Sequence, residues 1–350
     1  MKQIASSFLE NNYSTIKESE ISGRWITLKD IEPLYEKLTT SIQKKVIGVS
    51  EEGRDIYQLK FGSGKRKILV WSQMHGNEST GTKALFDFLN FIKDFSNSEI
   101  VKAIEENCEI VMIPMLNPDG AEVYTRVNAN NIDLNRDAVA LEAKESKLLR
   151  KVLDGFNPEF CFNLHDQRTI FGVEGTKNPA TISFLAPSED ISREVTSGRK
   201  ETMNVIVAMN SLLQEFIPNH IGRYTDEFYP TATGDNFQKL GHNTILIEAG
   251  HYQEDYDREM ARKFNFFALL QGIYHISTAK NFENYTDYFS IPNNIKNFYD
   301  VIYRTKNNEK DVAYQYVEKV ENGKFALTLT KEKEGNLSTF LGHKEFNKNN

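Results

Sequence analysis

The apolar run from Ile68 to Trp71 is the feature that most limits how this chain can fold. A strand that is apolar at every position is typical of a strand buried on both faces of a sheet. The run leads into a loop, residues 74 to 78, and residues 82 to 95 then carry apolar side chains at helical spacing. A buried strand followed by an amphipathic helix predicts a sheet that is covered by helices.

The same alternation of strand and helix patterns continues along most of the chain. We predict strands at 46–49, 56–61, 67–72, 110–116, 160–164 and 244–247, and further helices at 142–153, 189–216 and 258–276. Ser188 is the predicted N-cap of the helix at 189–216. This alternation predicts an α/β fold, a three-layer sandwich in which helices flank a mixed, mainly parallel central sheet.

The pattern changes after residue 276. Residues 281 to 297 show little periodicity, whereas residues 311 to 329 alternate between apolar and polar side chains, as a strand does. We therefore predict two units, a large α/β domain over residues 1–285 and a small β-rich C-terminal extension over residues 290–350.

Composition limits the kind of partner. The net charge of -7 argues against nucleic acid or an anionic membrane as the main partner, because both favour a basic surface. No apolar run reaches the roughly 18 residues that a membrane span needs, and the first residues lack the pattern of a secretory signal. Cys108 and Cys161 each lie beside an apolar run, which indicates buried free thiols in a reducing compartment. We expect a cytoplasmic location; the sequence does not indicate an oligomeric state.

Residues that could bind a metal follow three of the predicted strands. His75 and Glu78 follow the strand at 67–72, His165 follows the strand at 160–164, and Glu248 follows the strand at 244–247. Ligands of open α/β sheets bind beyond the carboxyl ends of the strands. Two histidines and one carboxylate, with a fourth position open, are a common ligand set of catalytic zinc. The His75 to Glu78 spacing alone is weak evidence, because such tetrapeptides recur by chance.

A longer series of motifs makes the interpretation specific. His75-Gly76-Asn77-Glu78 is followed by Asn117-Pro118-Asp119-Gly120, by Arg126 and by Asp133-Leu134-Asn135-Arg136, and then by His165 and Glu248, each after a strand. In this order, over positions 45 to 280, the set resembles the M14 zinc carboxypeptidase family. The resemblance implies that residues 1–285 are the catalytic domain of a metallocarboxypeptidase that cuts a peptide bond next to a free carboxylate.

The resemblance also implies a role for each motif residue. His75, Glu78 and His165 would bind one zinc ion, Glu248 would be the general acid and base, and Arg126 would stabilise the oxyanion. Asn135 and Arg136 would hold the substrate carboxylate, a task that suits a planar guanidinium. Two alternatives stay open: Arg126 could be a solvated loop residue, and Arg136 could form a surface ion pair with Asp133 or Asp137.

Three further residues are weaker candidates. Tyr229 resembles the mobile tyrosine with which the family closes over the bound C-terminus. Asp235 lies where the family builds its side-chain pocket, and it could instead be a polar residue of a turn. His251 follows Glu248 by three positions and could support the base or the substrate. The charged pair Asp166 and Arg168 departs from the digestive enzymes and suggests a different substrate environment beside the metal.

Three other functions share these motifs. An N-acyl amino acid deacylase, similar to succinylglutamate desuccinylase or aspartoacylase, would use the same metal and clamp on an acyl-amino-acid substrate. A muropeptide amidase would act on cell-wall fragments. An inactive module would keep the fold only to bind peptide C-termini, although such proteins usually lose a ligand or the base, whereas this chain retains both.

Overall fold

The computed structural model describes residues 2–305 and 310–347, so the end points 1 and 350 of the two predicted units lie outside the described residues. The helices are α1 Ser6–Ile16, α2 Leu28–Tyr35, α3 Thr80–Asp94, α4 Glu99–Asn107, α5 Pro118–Glu122, α6 Lys144–Phe156, α7 Ser197–Leu213, α8 Thr233–Lys239 and α9 Glu259–Thr278. The strands are β1 Gln43–Val49, β2 Asp55–Phe61, β3 Arg66–Trp71, β4 Cys108–Ile113, β5 Phe160–Asp166, β6 Phe171–Val173, β7 Ile182–Leu185, β8 Ile221–Arg223, β9 Asn243–Ala249, β10 Asn294–Lys296, β11 Phe298–Arg304, β12 Asp311–Glu321, β13 Lys324–Gly335 and β14 Leu341–Asn347.

An eight-stranded mixed sheet forms the centre of the molecule, in the order β1-β2-β4-β3-β5-β9-β7-β8. The pairs β4–β3, β3–β5, β5–β9 and β7–β8 are parallel, and the other three pairs are antiparallel. Parallel strands point their carboxyl ends to the same edge of a sheet, so the residues that follow β3, β5 and β9 lie close together.

Helices cover both faces of this sheet. Successive side chains of a strand point to opposite faces, so Ile68 and Val70 pack with α3, α7 and α9, whereas Leu69 and Trp71 pack with α6 and α8. The apolar run of β3 is therefore buried on both faces of the sheet. The predicted three-layer α/β sandwich with a mixed, mainly parallel sheet is confirmed.

A second, four-stranded sheet follows, in the order β13-β12-β11-β14. Residues 286–296 precede it, and they pack with the large unit: Tyr288 and Ile291 belong to its core, and β10 pairs with β6. The small sheet is also tied to the large unit by Glu318, which accepts hydrogen bonds from Arg24 and Tyr124, each at 2.7 Å. The division at 285–290 stays a prediction.

The predicted start of one helix is wrong. We expected a helix from residue 189 with Ser188 as its N-cap, but α7 begins at Ser197 and its cap is Thr196, which accepts a hydrogen bond from the Arg199 amide. Asp190 instead accepts hydrogen bonds from the Ser192 amide and hydroxyl, a local turn that competes with helix formation.

The two cysteines, Cys108 and Cys161, are buried and free, as predicted. Burial raises the pKa of the Cys108 thiol to about 12, so it stays protonated near neutral pH. Among the helices of the described ranges, none combines the length and the apolar character needed to cross a bilayer.

A buried ion pair fastens the N-terminal segment to the core. Arg262 of α9 donates to both carboxylate oxygens of Asp87 at 2.9 and 2.6 Å, and it also donates to the carbonyl oxygens of Glu18 and Ile21. Both charged side chains are 0% exposed. Replacing Asp87 would leave the buried Arg262 charge with its 3.2 Å contact to Glu259 as the remaining carboxylate partner among the described residues.

We predict that Asp87→Asn lowers the free energy of unfolding by about 3 to 5 kcal/mol, because the Arg262 charge would stay buried beside a neutral amide. Glu10→Gln is the matched control: Glu10 pairs with Lys263 at an exposed position, and its loss should cost less than about 1 kcal/mol. Urea unfolding followed by circular dichroism measures both changes. Equal changes in the two variants would contradict the prediction.

Candidate functional site

The three predicted zinc ligands lie together at the carboxyl edge of the sheet. His75 and Glu78 lie in the loop between β3 and α3, and His165 lies near the end of β5. Their ligand atoms all lie within 4.8 Å of one another. His165 Nδ1 is 3.1 Å from His75 Nδ1 and 2.8 Å from Glu78 Oε2, and all three residues are buried.

The ligand spacing fits a zinc ion. Zinc at about 2.0 to 2.1 Å from nitrogen and oxygen ligands, in tetrahedral geometry, places neighbouring ligand atoms about 3.3 Å apart. The observed separations are close to that value. Two imidazole nitrogens that face each other at 3.1 Å, beside one carboxylate, need a proton or a cation between them. A zinc ion meets that requirement with the donor set of a catalytic site.

The charges of the cluster also suit a cation. Burial alone would raise the pKa of Glu78, but His75 and His165 outweigh it and hold that pKa well below the usual value. Burial lowers the pKa of His165, which favours the neutral imidazole that a metal requires. Burial also acts to lower the pKa of His75, but Glu78 and the hydrogen bond with Asp133 raise it overall.

Asp133 connects the metal-ligand cluster to Arg126 and Asn135. From the sequence, Asp133 was predicted only as a possible ion-pair partner of Arg136. Its Oδ1 lies 3.0 Å from His75 Nε2, and its Oδ2 accepts a hydrogen bond from Arg126 Nε at 2.9 Å. A carboxylate on the far nitrogen of a histidine fixes the tautomer that leaves the other nitrogen free for a metal. Asp133 also accepts from the Asn135 amide at 2.9 Å, which starts the short helix at Leu134–Arg136.

Arg126 is held beside the cluster. Its Nη1 donates to Glu78 at 3.2 Å and its Nε donates to Asp133. Within residues 2–305 and 310–347, no hydrogen bond uses its Nη2, and the side chain is 45% exposed. Arg126 is thus solvent-exposed, as the alternative had it, but two site carboxylates also orient its guanidinium.

Close contact between the loop after β3 and α5 positions His75 and Glu78. A Cβ on Gly76 would lie 2.0 Å from the backbone carbon of Gly120, so the glycine at position 76 lets the loop touch the helix. Asn117 joins the same contact, since its side chain accepts from the Gly120 amide at 2.9 Å and donates to the Met74 carbonyl oxygen at 3.2 Å. The motif Asn117 to Gly120 thus supports the ligand loop.

Glu248 lies beside the metal ligands. It is the register partner of His165 in the parallel pair β5–β9, so both side chains point to the same face of the sheet. Burial raises the pKa of Glu248 well above its usual value, and the nearby carboxylates of Glu78 and Asp166 raise it further. A raised pKa makes a carboxylate a better proton acceptor.

Asn135 and Arg136, the two residues predicted to clamp the substrate carboxylate, both keep hydrogen-bond donors available for a ligand. Asn135 Oδ1 accepts a hydrogen bond from the Thr233 amide at 2.9 Å, which orients its amide nitrogen away from that bond. Arg136 is exposed and donates to the Asn135 carbonyl oxygen at 2.6 Å. The alternative ion pair of Arg136 does not form: Asp133 binds His75 and Arg126, and Asp137 accepts hydrogen bonds from the Glu142 and Ala143 amides just before α6.

Tyr229 and Asp235 lie near Arg136, whose charge acts on the pKa of each. Tyr229 is 48% exposed, and its hydroxyl donates to Glu227 at 3.1 Å. Burial raises the pKa of Asp235 to about 6. Asp235 accepts a hydrogen bond from the Tyr229 amide at 3.0 Å, so one of its oxygens holds the turn that carries Tyr229.

The side chains of Asp166 and His251 are both buried beside the site. The Asp166 carboxylate accepts a hydrogen bond from the Thr80 hydroxyl at 2.7 Å, and its side chain is 3% exposed. The effect of Asp166 and Arg168 on the substrate environment stays a prediction. His251 does not support Glu248, because both its ring nitrogens are buried without a partner in the described residues. Its ring packs 4.1 Å from that of His343 in the small sheet.

Tyr224, which follows β8, is a further residue near the cluster that the sequence did not predict. Burial raises the pKa of Tyr224 well above its usual value, and the charges of Glu248 and Glu78 add to the effect, so the phenol lies within electrostatic range of the cluster. A single tyrosine after a three-residue strand gives no sequence signal that would separate it from a core residue.

Comparison with known sequences identifies related enzymes. The family model "Zinc carboxypeptidase" matches residues 28–196. Carboxypeptidase SOL1 of Arabidopsis thaliana is 42% identical over 197 residues, which cover 50% of this chain and 40% of the relative. Carboxypeptidase 2 of Trichophyton tonsurans is 28% identical over 127 residues, which cover 33% of this chain and 23% of the relative. The matches thus span less than half the length of these relatives.

Solved structures share the fold. A metallo-carboxypeptidase from Burkholderia cenocepacia aligns with a TM-score of 0.58 at 15% identity, and the match covers 72% of this chain and 69% of that one. Carboxypeptidase A from Helicoverpa armigera aligns with a TM-score of 0.57 at 15% identity, covering 78% of this chain and 80% of that one. At such identities the likeness concerns the fold alone.

We predict that Asp133→Asn lowers zinc affinity about 10- to 100-fold, because the variant loses the carboxylate that orients His75. An asparagine oxygen can still accept from the Asn135 amide, so the local turn should persist. Asp190→Asn, in an exposed loop, is the matched control and should bind zinc as the wild type does. Competition with a chromophoric chelator measures the affinities, and an unchanged value for Asp133→Asn would refute the role of this carboxylate.

Proposed function

Because the chain is a member of the M14 zinc carboxypeptidase-like family, we propose that it is a zinc metallocarboxypeptidase that releases the C-terminal residue of peptides. The observation that carries the proposal is the convergence of His75, Glu78 and His165, whose ligand atoms lie within 4.8 Å of one another. The donor set is that of catalytic zinc with an open position.

The residues around the cluster have complementary tasks. His75, Glu78 and His165 would hold the zinc ion, which when bound would polarise a carbonyl and lower the pKa of a water molecule. Glu248 accepts a proton from the attacking water at a carboxylate oxygen and later gives it to the leaving amine. The burial and neighbouring carboxylates that raise the pKa of Glu248 support this role.

Arg126 stabilises the negative charge that develops on the carbonyl oxygen. Its guanidinium is already oriented by Glu78 and Asp133, and its Nη2 is free among the described residues. A donor that needs no rearrangement at the moment of reaction is effective, and removing such a donor costs about 3 to 4 kcal/mol in other enzymes.

Arg136 and Asn135 bind the terminal carboxylate of the substrate. Arg136 is exposed, and no carboxylate of the described residues pairs with it, so its charge is available to a ligand. A guanidinium can donate two parallel hydrogen bonds to a carboxylate. Tyr229, on the turn held by Asp235, would close over the bound residue, and its exposed position leaves it free to move.

We further propose a reducing, cytoplasmic setting for the enzyme. The support for it is that Cys108 and Cys161 are both buried free thiols.

Peptides and N-acyl amino acids test this function. We predict that the zinc-loaded protein hydrolyses hippuryl-type peptides and other short peptides at their C-terminus, whereas N-acetyl and N-succinyl amino acids are poor substrates. Mass spectrometry of the products identifies the bond that is cut. Hydrolysis of the acyl amino acids alone would show a deacylase, and hydrolysis of muropeptides alone would show an amidase.

Glu248→Gln is the control for this assay. The variant should keep its zinc, because Glu248 is not a ligand, but it should lose activity by about 10² to 10⁴. Equal activity in the two proteins would exclude Glu248 as the general base. Zinc binding without turnover in the wild type would favour the inactive peptide-binding module.

A further inference from the structure

A cavity of about 700 Å³ lies at the β8 edge of the sheet, and neither the zinc cluster nor the clamp contributes to its lining. Its wall includes Tyr224 and Asn294, together with Phe171 and three cationic side chains, Arg193, Arg223 and Lys296. Cavities of roughly 300 to 1,000 Å³ are the usual size of small-molecule sites. Its volume therefore suits part of a peptide.

The cavity is positively charged in a chain whose net charge is -7. Asp226 is the carboxylate of its lining, and that group already pairs with Arg193 and with the buried Arg199. No carboxylate of residues 2–305 and 310–347 forms an ion pair with Arg223 or Lys296. Two positive charges therefore remain without a counter-ion beside the cavity, which favours an anionic ligand.

Aromatic rings hold these two cations in place. The Arg223 guanidinium lies 5.2 Å from the Tyr288 ring centroid and 5.7 Å from that of Phe289, and Lys296 Nζ lies 5.8 Å from that of Phe171. Arg223 also donates to Asn293 Oδ1 at 3.1 Å. Cation–π contacts position a charge without neutralising it, so both groups stay able to bind an anion.

The strand register places one wall of the cavity on the same side of the sheet as the proposed catalytic base. Glu248 is opposite Ser183 in β7, and Ser183 is opposite Gly222 in β8. Opposed residues point to one face, and Tyr224 follows Gly222 by two positions, so Tyr224 shares the face of Glu248. Arg223 is opposite Phe184 and leaves the end of β8 on the other face, so the cavity extends around the end of this strand. Two strand spacings of about 4.8 Å separate β9 from β8, or about 10 Å in all.

Asn294 joins the cavity to the site. It lines the cavity, its Oδ1 accepts from the Ser183 hydroxyl at 3.0 Å, and its Nδ2 donates to Gln167 Oε1 at 3.1 Å. Gln167 follows His165 by two residues. A Cβ on Gly222 would lie 1.7 Å from Asn294 Oδ1, so the glycine lets Asn294 fit over the strand. A row of polar side chains thus runs from Gln167, two residues after a proposed zinc ligand, to the cavity.

We propose that this cavity binds an anionic group of the peptide substrate, so that the enzyme acts preferentially on acidic peptides. The proposal rests on the function proposed above and adds the substrate class. An extended peptide covers about 3.3 to 3.6 Å per residue, so about 10 Å corresponds to about three residues. The carboxylate is either on the residue that is released or on a residue upstream of the cut, and its chemistry is the same in both cases.

A matched peptide series tests the inference. Each pair of hexapeptides differs by one Glu or Gln, placed at the terminal, second, third or fourth residue from the C-terminus, in an otherwise neutral sequence. At one position kcat/KM should be about 10- to 100-fold higher for Glu than for Gln, the usual effect of hydrogen bonds to a charged group. The position identifies the residue that carries the anion.

The double variant Arg223→Gln, Lys296→Gln should lose most of this Glu to Gln ratio. Lys45→Gln, an exposed cation on β1, is the control and should keep both the ratio and the activity of the wild type. If Arg223→Gln unfolds because its ring contacts are lost, Lys296→Gln alone should still lower the ratio. A ratio near one at every position, or an unchanged ratio in the folded variants, would overturn the inference.

A binding measurement separates this inference from the proposed function. Calorimetry with zinc-loaded Glu248→Gln protein compares the same Glu and Gln peptides without turnover. Tighter binding of the Glu peptide that the cavity substitutions abolish supports the cavity even if the wild type cuts no peptide. Hydrolysis of both peptides at one rate, with equal binding, leaves the carboxypeptidase function standing and refutes the cavity.

Discussion

The parallel alignment of β3, β5 and β9 is the constraint on which the proposed site depends. Their register brings the loop after β3, the end of β5 and the end of β9 to one edge of the sheet, so residues far apart in the chain meet there. His165 and Glu248 are paired across β5 and β9, which makes their separation a property of the backbone. A shift of one residue in that pair would turn one of the two side chains to the opposite face. The core of the sheet therefore positions His165 and Glu248 directly, without the help of a loop.

Asp133 links the proposed metal ligands to the residues that are proposed to bind the substrate. One carboxylate orients His75, holds Arg126 and starts the short helix that presents Asn135 and Arg136. The ligand, the proposed oxyanion donor and the proposed clamp thus share one anchor. Such an arrangement gives the preorganisation that electrostatic catalysis needs, because the donors are set before the substrate arrives. The basic cavity at the other end of the polar row adds a second contact, which would select among peptides that all carry a terminal carboxylate.

Much of the fold and of the proposed metal site could be predicted from the sequence, because apolar runs and short motifs indicate these features locally. The apolar run at Ile68 to Trp71 indicated a strand buried on both faces, and ordered motifs indicated the ligands. Other features depend on distant contacts: Asp133 meets His75 and Asn294 meets Gln167 only in the folded chain. The predicted start of α7 was wrong because a local turn at Asp190 competes with helix formation. A missed signal was Asn322-Gly323, whose positive φ angles form the turn between β12 and β13, two strands where one alternating stretch had been predicted.

We propose that the chain uses zinc to cut a peptide bond beside a free carboxylate. The most direct measurement compares one peptide as the free acid and as the C-terminal amide, with zinc-loaded protein and with protein stripped by a chelator. We predict release of the terminal residue from the free acid by the zinc-loaded protein, with little cleavage of the amide and none after zinc removal. Equal cleavage of acid and amide, or cleavage that persists without zinc, would contradict it.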